Sequence, residues 1–236
     1  MRQRPTTWPP SDQRNSPLIE ACLAANRQWA NRANEEDPDY FTRLQNTQNP
    51  ELMWIGCSDS RLPANEIIGR GPGELFVHRN VANIVEHTDV NCLTVLQYAI
   101  DVLKVKHVMV VGHYGCGGIR AAMLSQPLGL IDNWLRHVRD VHLWNRDELH
   151  EIQDFEQRCN RLAELNVEAQ VANVCHTTIV QDAWRRGQKV MVHGWIYSLA
   201  DGLLKDLDIN IGSPDQLPSE YRIDFTQGTA VPTIPR

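Results

Sequence analysis

E-L-M-W-I-G-C-S-D-S-R (51–61) and H-V-M-V-V-G-H-Y-G-C-G-G (107–118) decide the fold. Each opens on a short apolar run, 51–55 and 107–111, with the length of a buried strand. Each run leads directly into chemistry-bearing residues: Cys57 after the first, His113 and Cys116 after the second. Continuous apolar runs of this length suit parallel strands covered on both faces. Side chains just past the carboxyl ends of such strands converge on one crevice. Two sulfurs and one imidazole make a three-donor set for zinc, and a tetrahedral ion with three protein ligands keeps one position open for chemistry.

Working outward, apolar residues Leu18, Ala21, Cys22, Ala25 and Trp29 recur at helical spacing, predicting a helix from Ser16-Pro17 to about Asn34. A second helix is expected from Asp37-Pro38 to about Gln45, a strand over 51–56, a helical turn after Pro63 and a strand over 74–78. Asp89 should cap a helix through Leu103. A strand over 107–112 and a helix opening at Gly117 follow, then polar helical segments over 130–150. One long helix is expected over 154–186, stopped by Gly187, then a strand over 189–197 and an edge strand over Leu203–Ile211. Strands alternating with helices predict an α/β fold, a mostly parallel central sheet flanked by helices with right-handed crossovers. The chain reads as a single domain over 1–236. Residues 1–17 and 212–236 each hold four of its 13 prolines and read as extended arms.

Composition narrows the function classes. The chain has 236 residues, 42% hydrophobic and 22% charged, with a formal net charge of −6, which is ordinary globular usage. No helix carries a Lys/Arg stripe, which argues against a nucleic-acid partner. The anionic balance argues against an acidic membrane surface, and no apolar run approaches the ~18–20 residues of a spanning helix. The start, M-R-Q-R-P-T-T-W-P-P-S-D, lacks an apolar segment for secretion, and its prolines break the amphipathic helix of a mitochondrial presequence. The cytoplasm is the expected location. Six cysteines (22, 57, 92, 116, 159, 175) are scattered, with no disulfide framework.

His113-x-x-Cys116 lets two donors meet one ion from a single turn, while Cys57 arrives from a separate strand end. Gly112, Gly115, Gly117 and Gly118 clear side chains from around the pair. Gly117 and Gly118 open a helix, where free N–H groups favour an anion. Asp59 and Arg61 lie beside Cys57. Zinc with two thiolates and a neutral imidazole carries little formal charge, so it acidifies water less than a three-histidine site, where the pKa falls to ~7. Such a site gains from a carboxylate that accepts a proton, and Arg61 could hold Asp59 ionised through a bidentate bond. Freed from Arg61, Asp59 could close the fourth position.

C-S-D-S-R-x-P-A, P-G-E-L-F-V-H-R-N-V-A-N, G-H-Y-G-C-G-G and V-H-G-W-I-Y, in this order over residues 18–210, resemble the β-class carbonic anhydrases. The resemblance implies one Zn2+ per chain on Cys57, His113 and Cys116, and Asp59–Arg61 as a catalytic dyad. It implies reversible hydration of carbon dioxide to bicarbonate through zinc-bound hydroxide, steadied by Asp59 and the Gly117 N–H. Gln48, nine residues before Cys57, matches a glutamine that hydrogen-bonds substrate in this family. Dimers with long N-terminal helical arms, pairing into tetramers, are implied as partners. Trp54, Arg79 and Tyr197 match a trio that binds bicarbonate at a non-catalytic pocket in one branch, where the aspartate moves onto zinc; Leu62 lies where that loop must shift. Hydrolysis of carbonyl sulfide or carbon disulfide is the alternative on the same fold, and a non-catalytic zinc-stabilised sensing protein the alternative outside catalysis.

Other signals have simpler readings. Gly69-x-Gly71-x-Gly73 precedes a strand and reads as a turn, not a dinucleotide loop. Cys57 and Arg61 are too close for a Cys-x5-Arg phosphatase loop, and a zinc-bound thiolate is a poor nucleophile for a Cys57 protease pairing with His113 or His193. Cys175-His176 diverge on a helix. Cys22 and Cys92 are expected in the core, Trp134, Trp144 and Trp184 in packing. At least one of His78, His107 and His193 should be a hydrogen-bonded core residue. The charges around 136–140 and 146–151 read as a solvated helix face.

Overall fold

A computed structural model describes residues 16–225, which fall into two compact units that meet in sequence between Thr47 and Gln48. In the first, α1 spans Pro17–Glu36 and α2 Tyr40–Asn46. Ser16 caps α1, its hydroxyl accepting the Ile19 N–H at 3.4 Å, and Pro17 fills the first turn, where no amide hydrogen is needed. Trp29 meets Tyr40 and Phe41 edge-on, with ring centroids 6.4 and 5.5 Å apart. No residue of α1 is buried, and Leu18 is 71% exposed. The expectation of a core position for Cys22 therefore fails: α1 has no apolar face to pack on within its own unit, and Cys22 is exposed.

The second unit runs β1 (Leu52–Cys57), α3 (Ala64–Ile67), β2 (Leu75–Asn80), α4 (Val90–Gln97), β3 (His107–His113) and α5 (Gly117–Met123). Then come α6 (Ile131–Trp134), α7 (Arg136–Trp144), α8 (Arg146–Glu151), α9 (Phe155–His176), α10 (Thr178–Arg185), β4 (Met191–Tyr197) and β5 (Leu204–Ile211). The five strands lie in the order β2-β1-β3-β4-β5. The first four are mutually parallel and β5 is an antiparallel edge. This is the expected mostly parallel sheet flanked by helices.

Alternation along the strands divides the core. Met53 and Ile55 of β1 and Val108 and Val110 of β3 face a large cluster built with Leu96 of α4, Ile119 of α5, Val138 of α7, Leu162 of α9 and Val180 of α10. Trp54, Met109 and Val111 point the other way, to a smaller cluster with Leu75 and Ala64. Burying each large apolar side chain contributes about 1.5–3 kcal/mol.

Several expectations need correction. The helix expected over 154–186 is two helices, because Thr177 (φ −64, ψ 145) leaves the helical region. Its hydroxyl donates to the Val174 carbonyl at 2.7 Å and accepts the Val180 N–H at 3.2 Å, an alternative to the backbone ladder that both ends α9 and caps α10. Asp89 caps α4 as expected, but the helix passes into a wider π turn over Tyr98–Val102. Trp134 and Trp184 pack, their indole N–H groups donating to the carbonyls of Val81 and Val190, both at 2.8 Å. Trp144 does not pack: it is 73% exposed at the end of α7. Residues 1–15 and 226–236, parts of the expected arms, lie outside the described residues. The stretch from 212 to 225 is held against the core, with Leu217 buried and Tyr221 stacked on His176 at 3.8 Å.

Candidate metal centre

β1 ends on Cys57 and β3 on His113. The two strands are adjacent and parallel, so both side chains arrive at the carboxyl end of the sheet. Gly115, at φ +67, makes the turn that brings Cys116 back beside them, a backbone angle that favours glycine. A Cβ on Gly118 would meet Val81 and Ala82 at 3.0 and 3.1 Å, so the first turn of α5 sits directly on the 81–83 segment.

The Cys57 and Cys116 sulfurs are 3.9 Å apart, and the donor atoms of Cys57, His113 and Cys116 all lie within 4.8 Å of one another. All three residues are buried. His113 Nδ1 donates to the Tyr114 carbonyl at 3.0 Å, which turns the Nε2 lone pair inward; Nε2 is buried without a hydrogen-bond partner. A cation would satisfy this orphaned buried nitrogen together with the two sulfurs it faces. The hydrogen bond between the two sulfurs pulls the Cys57 thiol down, helped by His113 and the N–H groups of Ala82 and Asp59 against the opposing effect of burial. The same bond, with burial, pushes Cys116 up. A divalent ion would hold both as thiolates.

Asp59 is fixed beside this triplet. Arg61 donates from Nε to Oδ1 at 2.9 Å and from Nη2 to Oδ2 at 2.7 Å, and its backbone N–H adds a bond to Oδ1 at 3.0 Å. This fork holds the Asp59 carboxyl far below the usual carboxylate range, against a smaller desolvation effect. Oδ2 is 3.9 Å from His113 Nε2. The dyad expected from sequence is thus assembled within hydrogen-bond reach, turned toward the triplet. Leu62 behind it is buried. Gly117 opens α5 immediately after Cys116. Gln48 is exposed in the segment before β1.

The trio Trp54, Arg79 and Tyr197 is brought together only in part. Trp54 and Tyr197 share the smaller apolar cluster. Arg79 donates from Nε to the Cys57 carbonyl at 2.8 Å and from Nη2 to the Asp59 carbonyl. Its guanidinium therefore ties down the backbone on both sides of Ser58.

The sequence reading did not single out three amides of α9, two buried (Asn166, Gln170) and one half-buried (Asn173). Ala82 and Asn83 adopt left-handed backbone angles (φ 64 and 45) beside Cys57, and α9 pins this segment from outside. Asn166 Nδ2 donates to the Ala82 carbonyl at 3.0 Å, Gln170 Oε1 accepts the Val85 N–H at 2.8 Å, and Asn173 Nδ2 donates to the Val85 carbonyl at 2.9 Å. The available signal was three amides at helical spacing on a face otherwise occupied by Leu162, Val167, Val171 and Val174. A second cluster, His78, Asp89 and Cys92, has donor atoms equally close. There burial pushes the Cys92 thiol up to about 12 and lowers His78, favouring the neutral forms, while Asp89 caps α4 through the Asn91 N–H.

Comparison with known proteins agrees with this geometry. The family model described as carbonic anhydrase matches residues 52–204. A carbonic anhydrase of Emericella nidulans is 47% identical over 207 residues, covering 87% of this chain and 90% of that protein. One from Saccharomyces cerevisiae is 32% identical over 195 residues, 79% of this chain and 87% of its own length. Among solved structures, the Coccomyxa β-carbonic anhydrase in complex with acetazolamide superposes with a TM-score of 0.81 at 40% identity, covering 85% of this chain and 90% of that one. A tetrameric β-carbonic anhydrase of Sordaria macrospora gives 0.79 at 38% identity, covering 84% and 100%.

Proposed function

This chain belongs to the carbonic anhydrase family, and from that premise we infer that it catalyses the reversible, zinc-dependent hydration of carbon dioxide to bicarbonate and a proton. The observation that carries the reading is the Asp59 carboxylate, locked by Arg61 and turned toward an orphaned imidazole nitrogen and two buried sulfurs. A purely structural metal site has no use for that dyad.

The donor set fits zinc, with Cys57, His113 and Cys116 as its three protein ligands. When bound there, the ion supplies acidified water near neutral pH. The remaining work falls to the chain. Asp59 accepts a proton at its carboxylate, or orients the group that gives it up. Arg61 keeps that carboxylate ionised and stops it from swinging toward the metal position. The Gly117 N–H at the start of α5 offers a donor to the oxygen of the product. Gln48 is assigned a substrate contact; being exposed, it is suited to reach a neighbouring subunit's site. Self-association as a dimer or tetramer belongs to the same reading and is supported by the uncovered apolar residues of α1. Cytoplasmic residence is also proposed; six free cysteines are in keeping with a reducing compartment.

A bicarbonate-sensing role for Trp54, Arg79 and Tyr197 is proposed on one observation. Arg79 holds the carbonyls of Cys57 and Asp59, so an anion that drew the guanidinium away would loosen the loop that keeps Asp59 on Arg61.

The test is metal content and stopped-flow hydration of carbon dioxide on one purified sample, with carbonyl sulfide and carbon disulfide assayed in parallel. About one zinc per chain with carbon dioxide turnover is expected. A zinc-loaded protein inert toward carbon dioxide overturns the proposal, and turnover of only the sulfur compounds replaces it with the hydrolase reading.

A further inference from the structure

We propose that Tyr114 and Glu164 form an outer brace of the metal centre, with Glu164 a positioning residue that acts through the Tyr114 phenol. The inference rests on the reading of Cys57, His113 and Cys116 as zinc ligands.

Tyr114 lies between two of those ligands and is held at three points. Its carbonyl accepts the His113 Nδ1–H at 3.0 Å, the bond that aims Nε2 into the site. Its amide donates to the Tyr197 carbonyl at 3.0 Å, extending the β3–β4 ladder. Its phenol donates to Glu164 Oε1. Glu164 is well anchored: its side chain is 15% exposed, Arg161 binds Oε2 at 2.9 Å, Lys205 of β5 reaches Oε1 at 3.3 Å, and Arg161 is itself held by Glu148 of α8. One turn earlier on α9, Asn160 Oδ1 accepts the Gly115 N–H at 3.3 Å. The turn 113–116 is thus gripped from α9 at two successive residues, 114 and 115.

The grip bears on chemistry because of the first of these bonds. The orientation of the His113 ring depends on where the Tyr114 carbonyl points; that carbonyl shares a rigid peptide plane with the Gly115 N–H, which Asn160 holds at one end, while the anchored Tyr114 side chain fixes the Cα at the other. A carboxylate with three donors is a stiff anchor for the Tyr114 Cα; without it the 114–115 peptide plane is held only by the 3.3 Å bond from Asn160, and a tilt of that plane tilts the imidazole with it. Partners outside the ligand set typically affect metal affinity by ~10–100-fold.

The experiment compares the full-length wild type with Tyr114→Phe, Glu164→Gln and the double variant. Zinc affinity is read by chelator competition, ligand geometry by the absorption bands of the cobalt(II)-substituted protein, and folding by thermal unfolding. Tyr114→Phe removes only the hydroxyl and should weaken zinc about tenfold and shift the cobalt bands. Glu164→Gln keeps an acceptor and should show a smaller loss in the same direction. The double variant should bind no more weakly than Tyr114→Phe, because both changes act through one bond. If either single variant fails to fold, the other still reports the bond. Single variants that keep zinc affinity within twofold and leave the cobalt spectrum unchanged overturn the proposal, as do losses that add in the double variant. A drop in unfolding temperature without either metal effect means Glu164 serves stability alone and also overturns it. Wild-type protein that takes up neither ion overturns the metal reading itself, and this proposal with it.

Discussion

Gln170→Leu tests whether α9 holds the segment beside Cys57. Gln170 is 1% exposed and joins three partners: it accepts the Val85 N–H at 2.8 Å and the Asn173 Nδ2–H at 3.2 Å, and donates to Asn166 Oδ1 at 3.1 Å. Leucine fills a similar volume with no polar atom. Val85 and Asn166 are both fully buried, so the substitution strands one N–H and one carbonyl oxygen away from water. Asn173 keeps its bond to the Val85 carbonyl. Each stranded group costs about 1–3 kcal/mol, partly offset because leucine needs no partners of its own. The net expectation is about 3 kcal/mol, a large share of the ~5–15 kcal/mol that holds a typical domain. At ~2–4 °C per kcal/mol for a chain of this size, the thermal midpoint should fall by about 6–12 °C. The assay is thermal and urea unfolding of both proteins at one protein concentration, since assembly shifts midpoints by mass action. Because Asn166 also holds the Ala82 carbonyl, whose residue's N–H supports Cys57, activity should fall with stability. A variant within about 0.5 kcal/mol of wild type would refute the reasoning, since that is the range of a surface change.

Three further outcomes follow from the site. Arg61 holds the Asp59 carboxyl far below its usual range, so carbon dioxide hydration should rise with pH between 6 and 9 without any contribution from titration of Asp59; a flat stopped-flow profile over that window contradicts the scheme. A depressed folded-state pKa contributes stability that is present above the unfolded value of ~3.9 and is lost as pH falls through the folded value. Asp59→Asn should therefore lower stability at pH 7 by a margin that shrinks below pH 4, and should cut kcat by ~10²–10⁴-fold; a pH-independent margin, or an unchanged kcat, argues against the dyad. Inhibition by bicarbonate should be cooperative in the wild type and hyperbolic in Trp54→Phe, which leaves the carbonyl bonds of Arg79 intact; hyperbolic inhibition of the wild type removes the regulatory pocket.

The strands and the convergence of Cys57, His113 and Cys116 were legible because their signals are local. The apolar runs before Cys57 and His113 carry their own period, and His113-x-x-Cys116 declares its turn through Gly115. The Asp59–Arg61 fork spans two residues and could be anticipated from spacing and charge. The break at Thr177 was missed because apolar periodicity continues through it, while the deciding factor is one hydroxyl that bonds both neighbouring helices. Cys22 and Trp144 sit on faces whose pattern promises burial, but pattern does not say whether a partner lies opposite. The amides of α9 reach partners 84 to 88 positions away; only the folded chain brings those together. The resemblance puts Arg79 in a non-catalytic bicarbonate pocket with Trp54 and Tyr197, but its two carbonyl acceptors are backbone atoms and leave no trace in residue identity.

The placement of β3 in the middle of the sheet, between β1 and β4, has a consequence for biosynthesis. Cys57 and Cys116 are separated by 59 positions, so a ribosome must release the second thiol well after the first. Even then the nascent chain lacks β4, the neighbour whose Val192 and Ile196 complete the packing around β3. A site assembled from the tips of central strands is therefore finished only once translation has passed Tyr197. On the proposed metal reading, ion loading falls to the end of synthesis, and prematurely terminated products would leave the ribosome without a complete site.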